Sequence, residues 1–486
     1  MTTKQLSLQC KTWGILGLVG GALTLASCAQ DGFDDEKFDS GVRNAQLEAP
    51  SLDDITITPS TDGSMQTISW PVVYGAGGYH VILENEDNAE VVKDTLIDGI
   101  SFATPRIEDT NYKLTFAVLD NKKLNNKGTE QIDKRFNTFT ASFQTIPTGT
   151  DLYTYFTENP VPDNATSEML NYDLEAGGSY TLSNDLDFGN KQVALRTTNA
   201  TNHAKLTYTG KVSLKTSTLL TIKNLDIDAS QSDNPMISLS DTPDESIKGA
   251  TGKGDYYNIR GAITLNGCNI TGVNNNLIYD GNVKYCVETV LIKNCVIKLT
   301  SSSATNVTGN AIVYFKAGYA NTLNVNNSTI WNAGNADAKY FVQYNNSGRA
   351  DRAGYSNQYV IFQNSTFYNI AKDGQWANYS GFNGQKMSVF NITNNIFVDC
   401  GNKQIARRIL GGRSESSYPS GQVTFANNTY MFKGEFESVA GIVDQYDMSG
   451  TAIEEDPGFK DAANGDFTIS GATQLSRKTG DPRWIK

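Results

Sequence analysis

Nine side chains in the second half of the chain are the ones whose types suit recognition chemistry: Lys316, Tyr344, Arg349, Arg352, Trp376, Tyr379, Arg407, Arg408 and Arg413. Cations mixed with aromatic rings fit an acidic sugar polymer. A guanidinium pairs a carboxylate bidentately, and a ring stacks on the apolar face of a sugar. The competing reading makes the same residues scattered surface charge and core aromatics. Catalysis has less support. Only two histidines exist, His80 and His203, which argues against a histidine triad or metal centre. A lyase would need a base for the C5 proton and a cation to acidify it. Lys316 or Arg408 would be that base, yet no aspartate cluster beside them suggests a calcium cage. No catalytic residue, metal or cofactor is therefore assigned, and binding is favoured over lysis. The net charge of −12 argues against nucleic acid as a partner.

The elements that would carry these residues begin with a leader. Lys4 and Lys11 flank an apolar or small run, residues 13–27, "WGILGLVGGALTLAS". This is the pattern of a secretion signal, and at about 15 residues it is short for a bilayer span of roughly 20. The segment Leu25-Ala26-Ser27-Cys28 resembles the bacterial lipobox, in which the cysteine is acylated and becomes the mature first residue. Asp31, Asp34, Asp35 and Glu36 resemble the export tag of Bacteroidetes-type surface lipoproteins. The resemblance implies a signal peptide over 1–27, an acidic tether over 28–48, and a lipid anchor at the outer membrane facing the cell exterior. Several acyl chains on Cys28 would hold where one does not.

From about Ala49 the pattern alternates at period two in "ITITPS", "QTISWPVV", "GYHVILEN", "YKLTFAVLD" and "FTASFQT", which reads as a small β-sandwich. Ile68-Ser69-Trp70, Gly78-Tyr79-His80-Val81 and Tyr112-Lys113-Leu114 resemble a fibronectin type III module. The resemblance assigns residues 49–146 to it and makes Trp70 and Tyr112 core aromatics.

Internal repetition organises the rest. Seven segments align: "IKNLDID" (222–228), "LNGCNIT" (265–271), "IKNCVIK" (292–298), "VNNSTIW" (325–331), "FQNSTFY" (362–368), "ITNNIFV" (392–398) and "FANNTYM" (425–431). Their first and sixth columns are apolar and point inward, while the second is nearly all polar. The third is Asn224, Asn294, Asn327, Asn364, Asn394 and Asn427, with Gly267 as the exception. An asparagine there suits a left-handed turn and can bond its neighbour one rung away. The pattern predicts an all-β chain whose sandwich is followed by a right-handed parallel β-helix with an asparagine ladder over 148–486. The ladder resembles the pectate-lyase-like superfamily. Cys268 and Cys295 share one column and read as stacked thiols.

Between repeats lie further strand-like segments, "NLIYD" (276–280), "AIVYFK" (311–316), "YFVQY" (340–344), "WANYSGF" (376–382) and "ARRILGG" (406–412). These would stack into a second sheet, and the resemblance places a glycan groove on it, with Lys316, Tyr344, Tyr379, Arg407 and Arg408 outward. The seventh repeat column ends in Trp331, Tyr368, Val398 and Met431, an apolar strip that reads as the seat of a packed loop. A short helix near Asp151–Phe156, capped at Thr150, would plug the first rung. Residues 456–484 resemble the C-terminal cap of surface β-helix lipoproteins, with Asp456 and Asp466 as turn formers rather than calcium ligands. The combined expectation is a surface lipoprotein that binds a uronic-acid-containing, pectin-like polysaccharide for a glycan-uptake system, with an outer-membrane transporter as partner. A polysaccharide lyase on the same groove and a purely structural or adhesive protein are the alternatives.

The anchor is directly testable. Cys28→Ala is expected to release the protein from the membrane fraction or to block its maturation. A variant that still partitions with membranes and still labels with palmitate would contradict the lipobox reading.

Overall fold

The computed structural model describes residues 41–60, 65–87, 90–107, 110–250, 255–299, 311–333, 338–345, 350–379, 386–436 and 446–486. Cys28 with its leader, and Arg349, lie outside the described residues. The chain is mostly β and divides into two compact units, Met1–Thr138 and Phe139–Lys486.

The first unit holds two antiparallel sheets. One takes Thr56–Pro59, Met65–Ser69 and Ser101–Pro105; the other orders Glu90–Ile97, Tyr79–Asn85, Asn111–Val118 and Ile132–Asn137. Strict alternation along Tyr79–Asn85 buries every second residue, as a strand with one face on a core requires. Trp70 sits at the centre, edge-on to Tyr79 at 5.3 Å and to Phe116 at 5.0 Å, while Tyr112 stacks on Phe136. Two expected boundaries move. The end of the expected tether belongs to this unit: Leu47 is buried, and Ala45 N donates to Asn126 Oδ1 at 3.0 Å. At the other end, Gln144–Ile146 pairs in parallel with Leu170–Leu174 of the second unit. Of the expected strand "FTASFQT" only Gln144 and Thr145 lie in this strand, and it belongs to another sheet.

In the second unit three sheets, here A, B and C, each take one strand per circuit of the chain until Gln375–Tyr379, after which only A and C continue. The first circuit runs Leu170–Leu174 in C, Ser179–Leu182 in A and Leu186–Asp187 in B, and the next returns to C at Val193–Arg196. Neighbouring circuits pair in parallel, for example Leu323↔Val360 in C, Ile330↔Phe367 in A and Val342↔Ala377 in B. The inward residues of all three form one continuous core. Helix α1 (Leu152–Glu158) buries Leu152 and Phe156, with Phe156 4.9 Å from Tyr172 and 5.1 Å from Phe188. Its N-cap is Asp151, whose carboxylate accepts from Thr154 N, rather than Thr150.

The corner from C to A recurs at the repeat asparagines. Asn224, Asn294, Asn327, Asn364, Asn394 and Asn427 all have φ between 47° and 57°, and Gly267 has 67°. This left-handed region costs most L-residues energy, and asparagine and glycine enter it most readily. Asn427, Asn394 and Asn364 each donate Nδ2 to Oδ1 of the asparagine one circuit back, at 3.1, 3.1 and 3.2 Å. Asn294 turns to Asn266 Oδ1 at 3.4 Å, beside Gly267, which has no side chain to offer. A Cβ on Gly267 would meet Asn224 Oδ1.

The next column, variable in sequence, forms a second polar row inside the corner. Backbone N–H groups of Cys295, Ser328, Ser365 and Asn395 donate to the side chains of Ser328, Ser365, Asn395 and Asn428, at 3.0 to 3.2 Å. All four acceptor residues are fully buried. Interior polarity here is matched bond for bond, as burial demands.

The C-terminal segment is a strap along the outside of sheet A rather than an end cap. Phe467 lies 5.7 Å from Trp331 and 5.6 Å from Tyr368, and Ile469, Leu475 and Trp484 cluster with Val398 and Met431. The strap contains helix α3 (Ala472–Arg477). It reaches back several circuits: Trp484 Nε1 donates to Thr329 Oγ1 at 2.7 Å, and Arg483 Nη2 to the Asn294 carbonyl at 3.0 Å. The apolar strip is thus covered by the chain's own end. Its loss would expose that strip, not an open rung. Asp456 accepts from Gly458 N, and Asp466 from Thr468 N and Oγ1, closing turns within the strap.

Candidate functional site

Sheet B and the segments joining it to sheet C hold most of the residues singled out from sequence. The segments at 276–280, 311–316, 340–344 and 376–382 do contribute strands to this sheet, such as Ala311–Phe315, Tyr340–Tyr344 and Gln375–Tyr379. The expected facing is wrong by one residue for both tyrosines. Tyr344 and Tyr379 pair with each other in register and point inward, at 0% and 6% exposure. A slip of one residue in a strand sends a side chain to the opposite face. The outward column is Ser238, Tyr279, Tyr314, Gln343 and Asn378. Tyr279 and Tyr314 stack on it at 5.6 Å, and Tyr314 and Tyr340 belong to a small cluster apart from the main core.

Trp376 is also inside. It stacks on Phe341 at 4.5 Å and meets Phe367 and Phe397 edge-on at 5.0 and 5.2 Å. Its exposure is 0%. It is a core residue and has no free face for a sugar.

"ARRILGG" does not continue the sheet. It forms helix α2 (Ile405–Ile409), which buries Ile405, Ala406 and Ile409, followed by buried Leu410. The signal was in the sequence: apolar residues at 405, 406, 409 and 410 have helical, not strand, spacing. A strand would have turned one arginine inward. On the helix Arg407 and Arg408 both stay on the partly exposed side. The arrangement lacks compensation. Nε of Arg407 and of Arg408 are buried without a hydrogen-bond acceptor, and neither guanidinium forms an ion pair among the described residues. Burial, and then the neighbouring Arg407 charge, pull Arg408 below the usual arginine range, with Tyr340 and Tyr446 near enough to oppose the shift. Their place in the last turn of the helix gives weak favourable interaction with its carbonyl end, which leaves the mutual repulsion largely in place.

A second group of cations sits where sheet B passes into sheet C. Lys316 is exposed on a turn whose backbone is held by buried Asp280, which accepts from Ala317 N at 2.7 Å and Gly318 N at 2.8 Å. Burial raises the Asp280 carboxyl, and those N–H groups oppose the rise. Arg352, in the short turn Ala350–Arg352, lies near enough to Tyr256 for its charge to oppose the rise that burial imposes on that phenol. Sequence reasoning missed the partners that the fold adds. Lys284 Nζ lies 4.8 Å from the Tyr256 ring, and the Arg260 guanidinium 4.5 Å from the Tyr355 ring. Nothing in a linear reading joins Arg260 to Ala353, whose carbonyl it bonds at 2.6 Å. Arg413 is exposed near Tyr418, whose hydroxyl donates to the Leu410 carbonyl. The structure therefore separates the expected residues into a helix pair, a corner group and an interior set. Among the described residues, no group of three His, Cys, Asp or Glu side chains comes together to hold a metal ion.

Three family models match the chain, each describing a domain of unknown function: DUF4992 over residues 1–177, DUF4957 over 178–333 and DUF5123 over 360–484. The first spans the whole first unit and the opening strands of the second. No curated protein and no solved structure is significantly similar to the chain.

The interior position of Trp376 reverses the effect of its replacement. Trp376→Ala is expected to destabilise the second unit by about 3–5 kcal/mol, read as an earlier unfolding transition. An unchanged transition would contradict its packing.

Proposed function

We propose that this chain is a lipid-anchored surface protein that captures an acidic, uronate-bearing polysaccharide for a glycan-uptake system, with an outer-membrane transporter as its partner. In this reading the first unit is a fibronectin type III-like spacer beyond the Cys28 anchor. The second is a right-handed parallel β-helix whose corner asparagines form a ladder.

The observation that carries the reading is the pair Arg407–Arg408. Two adjacent guanidiniums with buried, unmatched Nε atoms and no acidic partner among the described residues form an unfavourable arrangement. Folds retain such local conflict mainly where a ligand resolves it. An anion resolves this one, and paired carboxylates along a polymer suit two guanidiniums side by side. Tyr446, partly exposed and near enough to act on Arg408, provides the aromatic component that a sugar ring requires.

Calorimetric titration with polygalacturonate tests the reading. The double change Arg407→Ala and Arg408→Ala removes charges from the helix surface and leaves Ile405, Ala406 and Ile409 in the core. Each lost charge-assisted contact is worth roughly 1.5–3 kcal/mol, so affinity should fall about tenfold or more. The salt dependence of binding should flatten with it. A folded double variant that binds with unchanged affinity and salt slope would remove the arginine pair from the site.

A further inference from the structure

We propose a second oxyanion-binding site at the corner between sheets B and C, built by Arg260, Lys284 and Arg352 over the rings of Tyr256 and Tyr355, for a carboxylated or sulfated sugar. Its residues are separate from the Arg407–Arg408 pair, and it does not depend on that pair.

The backbone first shows that Arg260 is placed. The parallel pairing of Asp255–Asn266 with Tyr285–Lys293 shifts register between Ile259 and Ala262. Gly261 takes a φ of 137° at the shift. A bulge of this kind re-aims a side chain, and here Arg260 is exposed while Ile259 before it is buried. The guanidinium then crosses to a distant segment, bonding the Ala353 carbonyl at 2.6 Å and stacking 4.5 Å from the Tyr355 ring. A guanidinium fixed by its face and one edge keeps in-plane donors for a bidentate oxyanion.

The neighbours complete the site. Tyr256 is buried and edge-on to Tyr319 at 5.2 Å. Lys284 lies over its ring, and the Arg352 charge acts on its phenol. Three cations thus gather around two rings in a chain of net charge −12. The facing carboxylate is Glu288, which acts on Tyr355 and Cys286. Neither Arg260 nor Lys284 forms an ion pair with it or with any other acid among the described residues. Cation–ring contacts at exposed positions give only modest stabilisation, so the positive field of the corner remains available to a ligand.

Titration of the full chain with trigalacturonate, a sulfated galactose oligosaccharide and neutral galactotriose tests the assignment. Arg260→Gln should weaken binding of the anionic probe about tenfold, with Arg260→Lys between the two. Arg407→Ala/Arg408→Ala should leave this loss in place as an independent factor. The tighter of the carboxylated and sulfated probes identifies the source of the oxyanion, and the neutral probe should not bind at this corner. If Arg260→Gln does not fold, Lys284→Gln, which leaves the Ala353 bond intact, carries the same expectation. Anion binding that is untouched by both corner variants and lost only in the helix variant would overturn the corner site and leave the helix reading standing. No anion binding by the wild-type chain would overturn the corner proposal.

Discussion

The second unit depends on one backbone constraint: from the circuit that begins at Leu220 onward, the chain turns from sheet C to sheet A through a residue in the left-handed region. Asparagine meets it at six positions and glycine at one. The turn is tight, so the strands on either side stay in register with those of adjacent circuits, about 4.8 Å away. Side-chain amides then link successive corners from Asn427 to Asn327. The inner row through Ser328, Ser365, Asn395 and Asn428 supplies acceptors for backbone donors that would otherwise be buried alone. An unmatched buried group costs more than a hydrogen bond gains. Both rows therefore specify register as well as adding stability.

Once the corner is fixed, the outer faces of the three sheets have different fates. The later strands of sheet A are covered by the C-terminal strap. The first strands of sheet C are covered by the segment after Thr138, where Phe143 packs on Tyr172 and Arg196 bonds Thr140. Sheet B and its exits carry Arg407, Arg408, Arg260 and Lys284, none of which forms an ion pair among the described residues. On α2 these arise because a helical period interrupts the strand series; at the corner, because a bulge re-aims Arg260. In both places a local break in the repeat coincides with guanidinium charge that no carboxylate among the described residues pairs.

Much of this architecture was legible in seven aligned heptads, because inward and outward columns in parallel strands leave a period-two trace. The corner residue was legible because few residue types tolerate its φ. What the sequence hid were matters of parity and partner. "YFVQY" offers an aromatic at each end, and nothing local shows that Tyr344 faces inward while Gln343 faces out. Arg407 and Arg408 were found as residues but placed on the wrong element, although the spacing of Ile405, Ala406, Ile409 and Leu410 carried the helical signal. Arg260, Lys284 and Tyr355 gave no signal at all, since their association comes from the stacking of distant circuits. The variable column after the asparagine was likewise silent, because serine and asparagine there do one job with different side chains.

The account rests on the corner amides acting as a coupled row, and a double-mutant cycle on Asn364 and Asn394 tests that most directly. Each single change to Ala, and the two together, would be followed by equilibrium unfolding of the full chain. Contacting partners in one hydrogen-bonded row should couple by about 0.5–3 kcal/mol, so the double variant should lose less stability than the two single losses combined. Strict additivity, with both single variants folded, would contradict the claim that these amides hold successive circuits together.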